Sequence, residues 1–434
     1  MTRFRRSYLT HGAAVIFTLT AISIFAGCVN SGSAPPVVYT NRLGQRVVQL
    51  AMTTPRANHA AVALEDGRVL ICGGTVDANI GGILSSAEIF DPATLKFIPT
   101  GSMHVRRMGQ TATRLHDGRV LIAGGALNIG FRSELASAEI YDPASGTFTE
   151  TAPMSVPREG HTATLLRDGR VLVAGGSSNG TVTISSAEIY DPEAGRWFPT
   201  GDMTVPREAH VAVLLGTGKV LIAGGGRGGM PGGYIAYQNA EIFDPASGRF
   251  SALAAPMHSD RVGAAAVRLN DGRVLIVGGK SGKMLYGRRG INLAFFTPLD
   301  TAEIFDPETS RFIATPPMHA PHYLATATVL NDGDVLVVGG WRMQGNVIGG
   351  MYDAELYRPR SAGSMGRGSF AEVAPLHVAR LENTATLLPD AQVLVAGGIN
   401  SKGLVTASVE FYSPTRRHFV RDGRPEPPPP AGTE

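Results

Sequence analysis

The stretch VPREGHTATLLRDGRVLVAGG, Val156 to Gly176, decides the fold because everything in it recurs. Taken alone, Arg158, Glu159 and His161 ahead of a hydrophobic run invite a catalytic reading. A catalytic constellation is needed once, whereas a structural unit returns at every turn of a repeat architecture. The glycine pairs Gly73-Gly74, Gly124-Gly125, Gly175-Gly176, Gly224-Gly225, Gly278-Gly279, Gly339-Gly340 and Gly397-Gly398 follow at spacings of 51, 51, 49, 54, 61 and 58 residues, which makes seven units.

Each unit reads as four strands. In the quoted one, His161 to Leu166 alternates and leads into Asp168-Gly169, whose tolerance of positive φ suits a tight hairpin. Val171 to Ala174 is a continuous apolar run, as for a strand covered on both faces. A polar loop follows the glycine pair, then Ser186 to Tyr190, stopped at Asp191-Pro192 because proline cannot continue a ladder. A short strand around Trp197 completes the unit, and Met203 starts the passage to the next. Local connections make this an antiparallel meander. An aromatic ends every third strand (Phe90, Tyr141, Tyr190, Phe243, Phe305, Tyr357, Tyr412) and another sits in every fourth (Phe97, Phe148, Trp197, Phe250, Phe312, Phe370, Phe419). Such rings fill space between sheets. Ala61, Ala112, Ala163, Ala212, Ala266, Ala327 and Ala385 hold one place in all seven first strands. Only small side chains let first strands crowd around an axis, so the seven sheets are expected to be radial: an all-β, seven-bladed β-propeller, which also protects strand edges.

The ends are set apart from this array. Arg3, Arg5 and Arg6 precede an apolar run, Ala13 to Gly27, that is short for a membrane span, so residues 1–27 read as a signal peptide. Its end, FAGC, resembles the lipobox of bacterial lipoproteins, which implies Cys28 as the lipidated first residue. Phe25 departs from the usual Leu, and ordinary cleavage near Ala26 is the alternative. Residues 28–45 are then a lipid-anchored linker, 46–421 the propeller, and 422–434 a proline-rich disordered tail. The segment Arg5 to Thr10 also resembles a twin-arginine export motif, leaving the export route open. The expected location is the periplasm or cell surface, on the outer membrane rather than the inner, with the chain a monomer. Three of the 39 Lys and Arg residues lie in the signal, leaving 36 against 36 acids, so no global charge points to nucleic acid. Cys72 is the only other cysteine; it replaces a small apolar residue of the other units, so it reads as core, with no disulfide framework. Gln45 to Met52 alternates like a lone fourth strand and is expected to pair with the seventh blade.

A glycine pair after a buried strand, then Tyr or Phe, then Trp or Phe, resembles the kelch repeat from about Val47 to Val420. The DGRVLIAGG wording resembles bacterial kelch-like and galactose-oxidase-type propellers. Arg358 and Ser413 depart from the Asp-Pro turn. The resemblance implies one blade per repeat and brings two enzyme alternatives. A galactose-oxidase-like oxidase implies a Tyr–Cys crosslink with copper; here Cys72 is buried, and only His322-Tyr323, in reverse order, stands near that pattern. A kelch-type sugar epimerase implies acid, base and arginine groups in a central pocket. The preferred class is a non-catalytic binding propeller without cofactor or metal, recognising an extracytoplasmic protein, acidic peptide or glycan.

Strand parity selects the binding face. The interblade passages and the loops after the glycine pairs emerge together, while the DG and DP turns emerge opposite. Those loops vary in length, 12, 12, 10, 14, 22, 13 and 10 residues, as binding loops on a rigid scaffold do. Arg56, Arg107, Arg158, Arg207, Arg261 and Arg380, with His322 in the sixth unit, circle this face. Such arginines either tie the scaffold or grip an anion. Glu159, Glu208 and Glu382 offer partners in units three, four and seven, so Arg56, Arg107 and Arg261 are the expected ligand-facing ones. The longest loop adds Tyr286, Arg288, Arg289, Phe295 and Phe296, with Trp341 alongside. The third-strand glutamates, Glu88, Glu139, Glu188, Glu241, Glu303, Glu355 and Glu410, read as structural.

Overall fold

The computed structural model describes residues 50–421 apart from 78–81, 129–132, 181, 229–233, 287–291, 345–346 and 360–365, together with two short strands, Val38–Thr40 and Arg46–Val48. In the third unit the strands are Thr162–Leu165, Val171–Ala174, Ala187–Asp191 and Arg196–Pro199, hydrogen-bonded in that order and antiparallel throughout. Six further sheets repeat the order, from the blade that opens with Ala60–Ala63 to the blade that ends with His418–Val420. First strands of neighbouring blades lie side by side around the whole ring, that of the first blade against that of the seventh. The chain is therefore a closed, seven-bladed, all-β propeller.

The period of two explains how each blade serves two cores. Val171 and Val173 pack toward the preceding blade with Leu115 and Met154, whereas Leu172 and Ala174 pack toward the next with Met203 and Val220. Both faces of the second strand are thus covered, which is why it reads as a continuous apolar run. Each of the seven interblade cores contains one residue of the linker series: Met52, Met103, Met154, Met203, Met257, Met318 or Leu376. The paired aromatics stand directly opposite in register, Tyr190 against Trp197 for example. Their ring centroids are 4.7–5.2 Å apart and tilted by 41–55° in all seven blades. The recurrent alanine sits between blades, as Ala163 does beside Val171 and Val173. The buried Cys72 thiol is pushed up to about 11 by desolvation.

The expectation about closure holds in part: Leu50 N–H donates to Arg421 O (3.4 Å) and Ala51 bridges Ser408, so the end of the Gln45 to Met52 segment meets the seventh blade, but it does not form that blade's fourth strand. The fourth strand of the seventh blade is His418–Val420, with Phe419 stacked on Tyr412 at 5.2 Å. Arg46–Val48 pairs instead with Val38–Thr40. The chain then runs past the seventh blade as every interblade linker runs past its own: Met52 N–H donates to Ala407 O (2.9 Å), just as Met154 N–H donates to Ala136 O (2.8 Å). Periodicity alone could not choose between two short alternating segments, and the aromatic pair makes the choice.

The glycine pair ends the second strand where the next blade's linker crosses. Gly175 has a φ of +64°, and a Cβ there would collide with the carbonyl oxygen of Arg207. Between blades lie further polar ties. The rings of His59, His161 and His210 bond Thr384, Thr111 and Thr162 of the preceding blade at 2.9–3.2 Å. Gln110 holds the same place in the second blade and donates to Cys72 O at 2.8 Å.

Burial, with nearby arginine charges, lowers His59 and His161 to about 3 and carries His210 well below its ordinary value. These imidazoles stay neutral in the fold but take a proton in the unfolded chain below about pH 6.5. Their contribution is complete above that pH and is lost as pH falls toward 3. His161→Gln, which imitates Gln110, should therefore reduce the loss of stability between about pH 7 and pH 4 in urea titrations. An unchanged pH slope would contradict the assignment.

Candidate functional site

The arginine circle is built into the scaffold. Arg158 is fully buried; its Nη1 donates to Gly175 O and Ser186 O, both at 2.9 Å, and its Nη2 to Glu188 Oε1 at 2.9 Å. The other carboxylate oxygen of Glu188 accepts the N–H of Ser155, in the linker, at 2.8 Å. The same knot ties Arg56 to Glu88, Arg107 to Glu139, Arg207 to Glu241, Arg261 to Glu303 and Arg380 to Glu410, at 2.6–3.1 Å. In the sixth blade His322 substitutes, with ring nitrogens 2.7 Å from Gly339 O and 3.4 Å from Glu355 Oε1.

The expected ligand-facing role of Arg56, Arg107, Arg158, Arg207, Arg261, Arg380 and His322 is thereby corrected, since all seven are 0–1% exposed. Their partners are the third-strand glutamates, about thirty residues onward, rather than Glu159, Glu208 or Glu382. With the guanidiniums enclosed, the expectation of an acidic peptide keeps only the basic residues of the 22-residue loop, of which Arg288 and Arg289 lie outside the described residues.

The residue after each arginine stands beside the loop that follows the glycine pair, and in four of the seven blades it is buried. The seven are Ala57, Met108, Glu159, Glu208, Val262, Tyr323 and Leu381. Each is joined to the residue that follows a glycine pair: Thr75, Ala126, Ser177, Gly226, Lys280, Trp341 and Ile399. One position further along, Asn58, Gly109, Gly160, Ala209, Gly263, Leu324 and Glu382 all have φ of 49–65°. They form a collar in which the N–H of Asn58 donates to Glu382 O, Gly109 to Asn58, Ala209 to Gly160, Gly263 to Ala209 and Leu324 to Gly263.

This ring is where the sevenfold repeat breaks. Around blades seven and one it is sealed by Ala57, Leu381 and Ile399, with Leu324, Trp341 and Val405 against them. Elsewhere on the ring polar groups stand among apolar ones such as Met108 and Val262. Glu208 is held by Ser177 and Tyr234 and senses Glu134 and Lys280. Desolvation raises Glu208 to about 7. Desolvation, together with the Glu134 and Glu208 carboxylates, raises Glu159 to about 8. Desolvation alone raises Glu382 to about 7. Lys280 is drawn down to about 8 by desolvation, opposed by Glu208, and its Nζ lies 4.6 Å from the Phe296 ring centre and 4.5 Å from that of Tyr323. Trp341 stands edge-on to Tyr323 at 5.8 Å.

The 22-residue loop of the fifth blade is a hairpin, Lys280–Tyr286 with Asn292–Pro298. It joins Tyr234–Ala236 and Gly226–Arg227 of the fourth blade in one four-stranded sheet beside the mouth. Of the residues expected here, Phe296 and Trp341 are at the mouth. Arg288 and Arg289 lie outside the described residues, as do Cys28, residues 1–27 and 422–434, and the side chains of Tyr286 and Phe295. Lys280 belongs to the long loop already expected to bind; Glu134, Glu159, Glu208, Tyr234, Tyr323 and Glu382 do not stand out as a site in the sequence. Their signal was present: the position after each arginine changes character at an otherwise fixed spacing. Among the described residues no three His, Cys, Asp or Glu side chains converge as a metal ion would require.

Comparison with known proteins agrees with this architecture. The Kelch motif matches residues 55–104 and 160–204. Kelch-like protein 36 of Mus musculus is 28% identical over 140 residues, 32% of this chain and 22% of that protein. An F-box/kelch-repeat protein of Arabidopsis thaliana is 30% identical over 143 residues, 32% of this chain and 37% of its own. The alignments thus take in well under two thirds of either relative. A solved structure, a fungal alcohol oxidase of the AA5 family in complex with copper, superposes with a TM-score of 0.62 at 19% identity, over 85% of this chain and 75% of that one. That likeness is one of fold. Seven glycine-pair units, each with its stacked aromatics, six of them with the buried arginine and the sixth with His322 in its place, and a kelch motif matched in two of them, support a kelch-repeat β-propeller.

Proposed function

We propose that this chain is an exported binding propeller, anchored to a bacterial membrane through Cys28, which recognises an extracytoplasmic protein, peptide or glycan with its loop face. A fold does not fix a function, so the reading rests on the site. One observation carries it: the seven blades agree in their cores and knots and differ at the mouth, where one arc is apolar and Glu159, Glu208, Tyr323 and Lys280 stand elsewhere on the ring. Repetition serves stability, and local departure from it serves recognition. Kelch-repeat propellers are typical protein-binding scaffolds, which supports a macromolecular partner.

A second reading, a kelch-type sugar epimerase, draws on the same cluster. Glu208 and Lys280 titrate near neutrality beside Tyr234, as an acid–base pair would. It requires turnover of a sugar that Glu208→Gln abolishes.

The two faces can be compared directly in producing cells. A photo-crosslinking residue at Val182, on the loop face, should yield adducts, whereas one at Ala194, in a DP turn, should not. Adducts from Ala194 alone would place the partner on the wrong face. The anchor is tested separately: Cys28→Ala should release the protein from the membrane fraction, and a wild-type chain already free of membranes would refute it.

A further inference from the structure

We propose that the outer edge of the fifth blade's hairpin, the strand Asn292–Pro298, takes up an extended segment of a partner protein as a further strand of its sheet. This rests on the loop face being the binding surface and narrows the partner to a polypeptide, held chiefly through its main chain.

The direction of the backbone groups leads to it. Lys280 donates its N–H to Val262 O (3.0 Å) and accepts the N–H of Val262 (3.1 Å), so both of its main-chain groups are turned away from the second strand of the hairpin. The N–H of Gly282 also leaves the hairpin, for Asp260 Oδ2 at 2.9 Å. Lys280 stands opposite Pro298 and Gly282 opposite Phe296, which makes these the non-hydrogen-bonded pairs of an antiparallel ladder. By alternation Ser281 with Thr297, Lys283 with Phe295 and Leu285 with Leu293 are the bonded pairs. The N–H and C=O of Asn292, Ala294 and Phe296, and the C=O of Pro298, therefore point to the outer edge. The strand ends the sheet it forms with Tyr234–Ala236 and Gly226–Arg227, and among the described residues no strand lies beyond it. A row of outward main-chain donors and acceptors at strand spacing selects one kind of occupant, an extended chain.

Composition separates this edge from the others in the molecule. The outer strands of the seven blades have three to five residues, and four of them open with Lys96, Arg196, Arg249 or Arg311. Short length and charge are the usual protection of an edge against pairing. Asn292–Pro298, NLAFFTP, has seven residues and no charge. The repeat does not require it, since this loop has 22 residues where the other six have 10 to 14.

The edge also carries a ring that a docked strand would cover. Phe296 is half-buried, stands edge-on to Tyr234 at 5.8 Å and has Lys280 Nζ 4.6 Å from its ring centre. A residue of the added strand directly opposite Phe296 lies on the same face of the sheet, so an apolar side chain is favoured there.

A fluorescein-labelled heptapeptide of alternating Thr and Val, followed by fluorescence anisotropy with the full chain, tests the proposal. Its control is the same peptide N-methylated at every residue, which keeps the side chains and loses every main-chain donor. The first should bind, and the second at least about tenfold more weakly. Ala294→Pro removes one outward N–H and no bond within the hairpin, as Pro298 already does in the same register. It should weaken the heptapeptide about tenfold and leave the melting temperature unchanged. No binding of the heptapeptide, equal binding of the two peptides, or binding indifferent to Ala294→Pro would overturn the proposal. So would sedimentation of the chain alone as a dimer that Ala294→Pro dissolves, because the edge would then belong to a second copy. If the proposal falls while adducts still form at Val182 in cells, the loop face stands; if they do not form, both fall.

Discussion

The buried arginine–glutamate knot is the interaction on which the rest of the propeller depends. In each of six blades a fully enclosed guanidinium spans a glycine-pair carbonyl, the start of the third strand and a third-strand carboxylate, and that carboxylate in turn receives backbone N–H groups of the linker. Two charges taken out of water are costly unless donors and lone pairs are met; the terminal nitrogens are met, whereas the Nε of Arg107, Arg158, Arg207, Arg261 and Arg380 has no hydrogen-bond partner among the described residues. Here the planar fork of arginine matches acceptors on three separate pieces of chain, which a lysine could not do. Apolar packing drives the blades together, but it is non-directional. The knot supplies the direction, since it fixes how each linker crosses the top of its blade.

That geometry also determines where recognition can occur. With the guanidiniums turned inward, the next residue stands beside the loop that follows the glycine pair, and the one after it enters the left-handed region that lets the collar form. A variable position is thus carried on an invariant one. Alanine, leucine and isoleucine close one arc, and glutamate and tyrosine stand elsewhere on the ring. Because the scaffold is stable without them, these positions can hold carboxyl groups in a desolvated setting that leaves them protonated near neutrality.

The architecture was legible because its signals are periodic: the glycine pairs, the opposed aromatics and the recurrent alanine each state the same unit seven times. Closure was less so, since Gln45 to Met52 and His418 to Val420 alternate alike and only Phe419 against Tyr412 separates them. The arginine partners are not legible from the sequence, because proximity along the chain is not proximity in space. Glu159 adjoins Arg158 along the chain, but consecutive residues diverge here, and the partner is Glu188. The polar mouth was hidden for the complementary reason: its groups come from six blades and come near one another only once the ring has closed.

The central claim is that the knot works as a unit, so coupling within one blade is the most direct measure of it. A double-mutant cycle on Arg158→Met and Glu188→Leu, read from urea unfolding of the full exported chain, isolates that coupling. Each single change strands a buried charge and is expected to cost about 3–5 kcal/mol, with the double variant recovering a large part of the loss. Losses that simply add, or singles that cost no more than a surface substitution, would contradict the account.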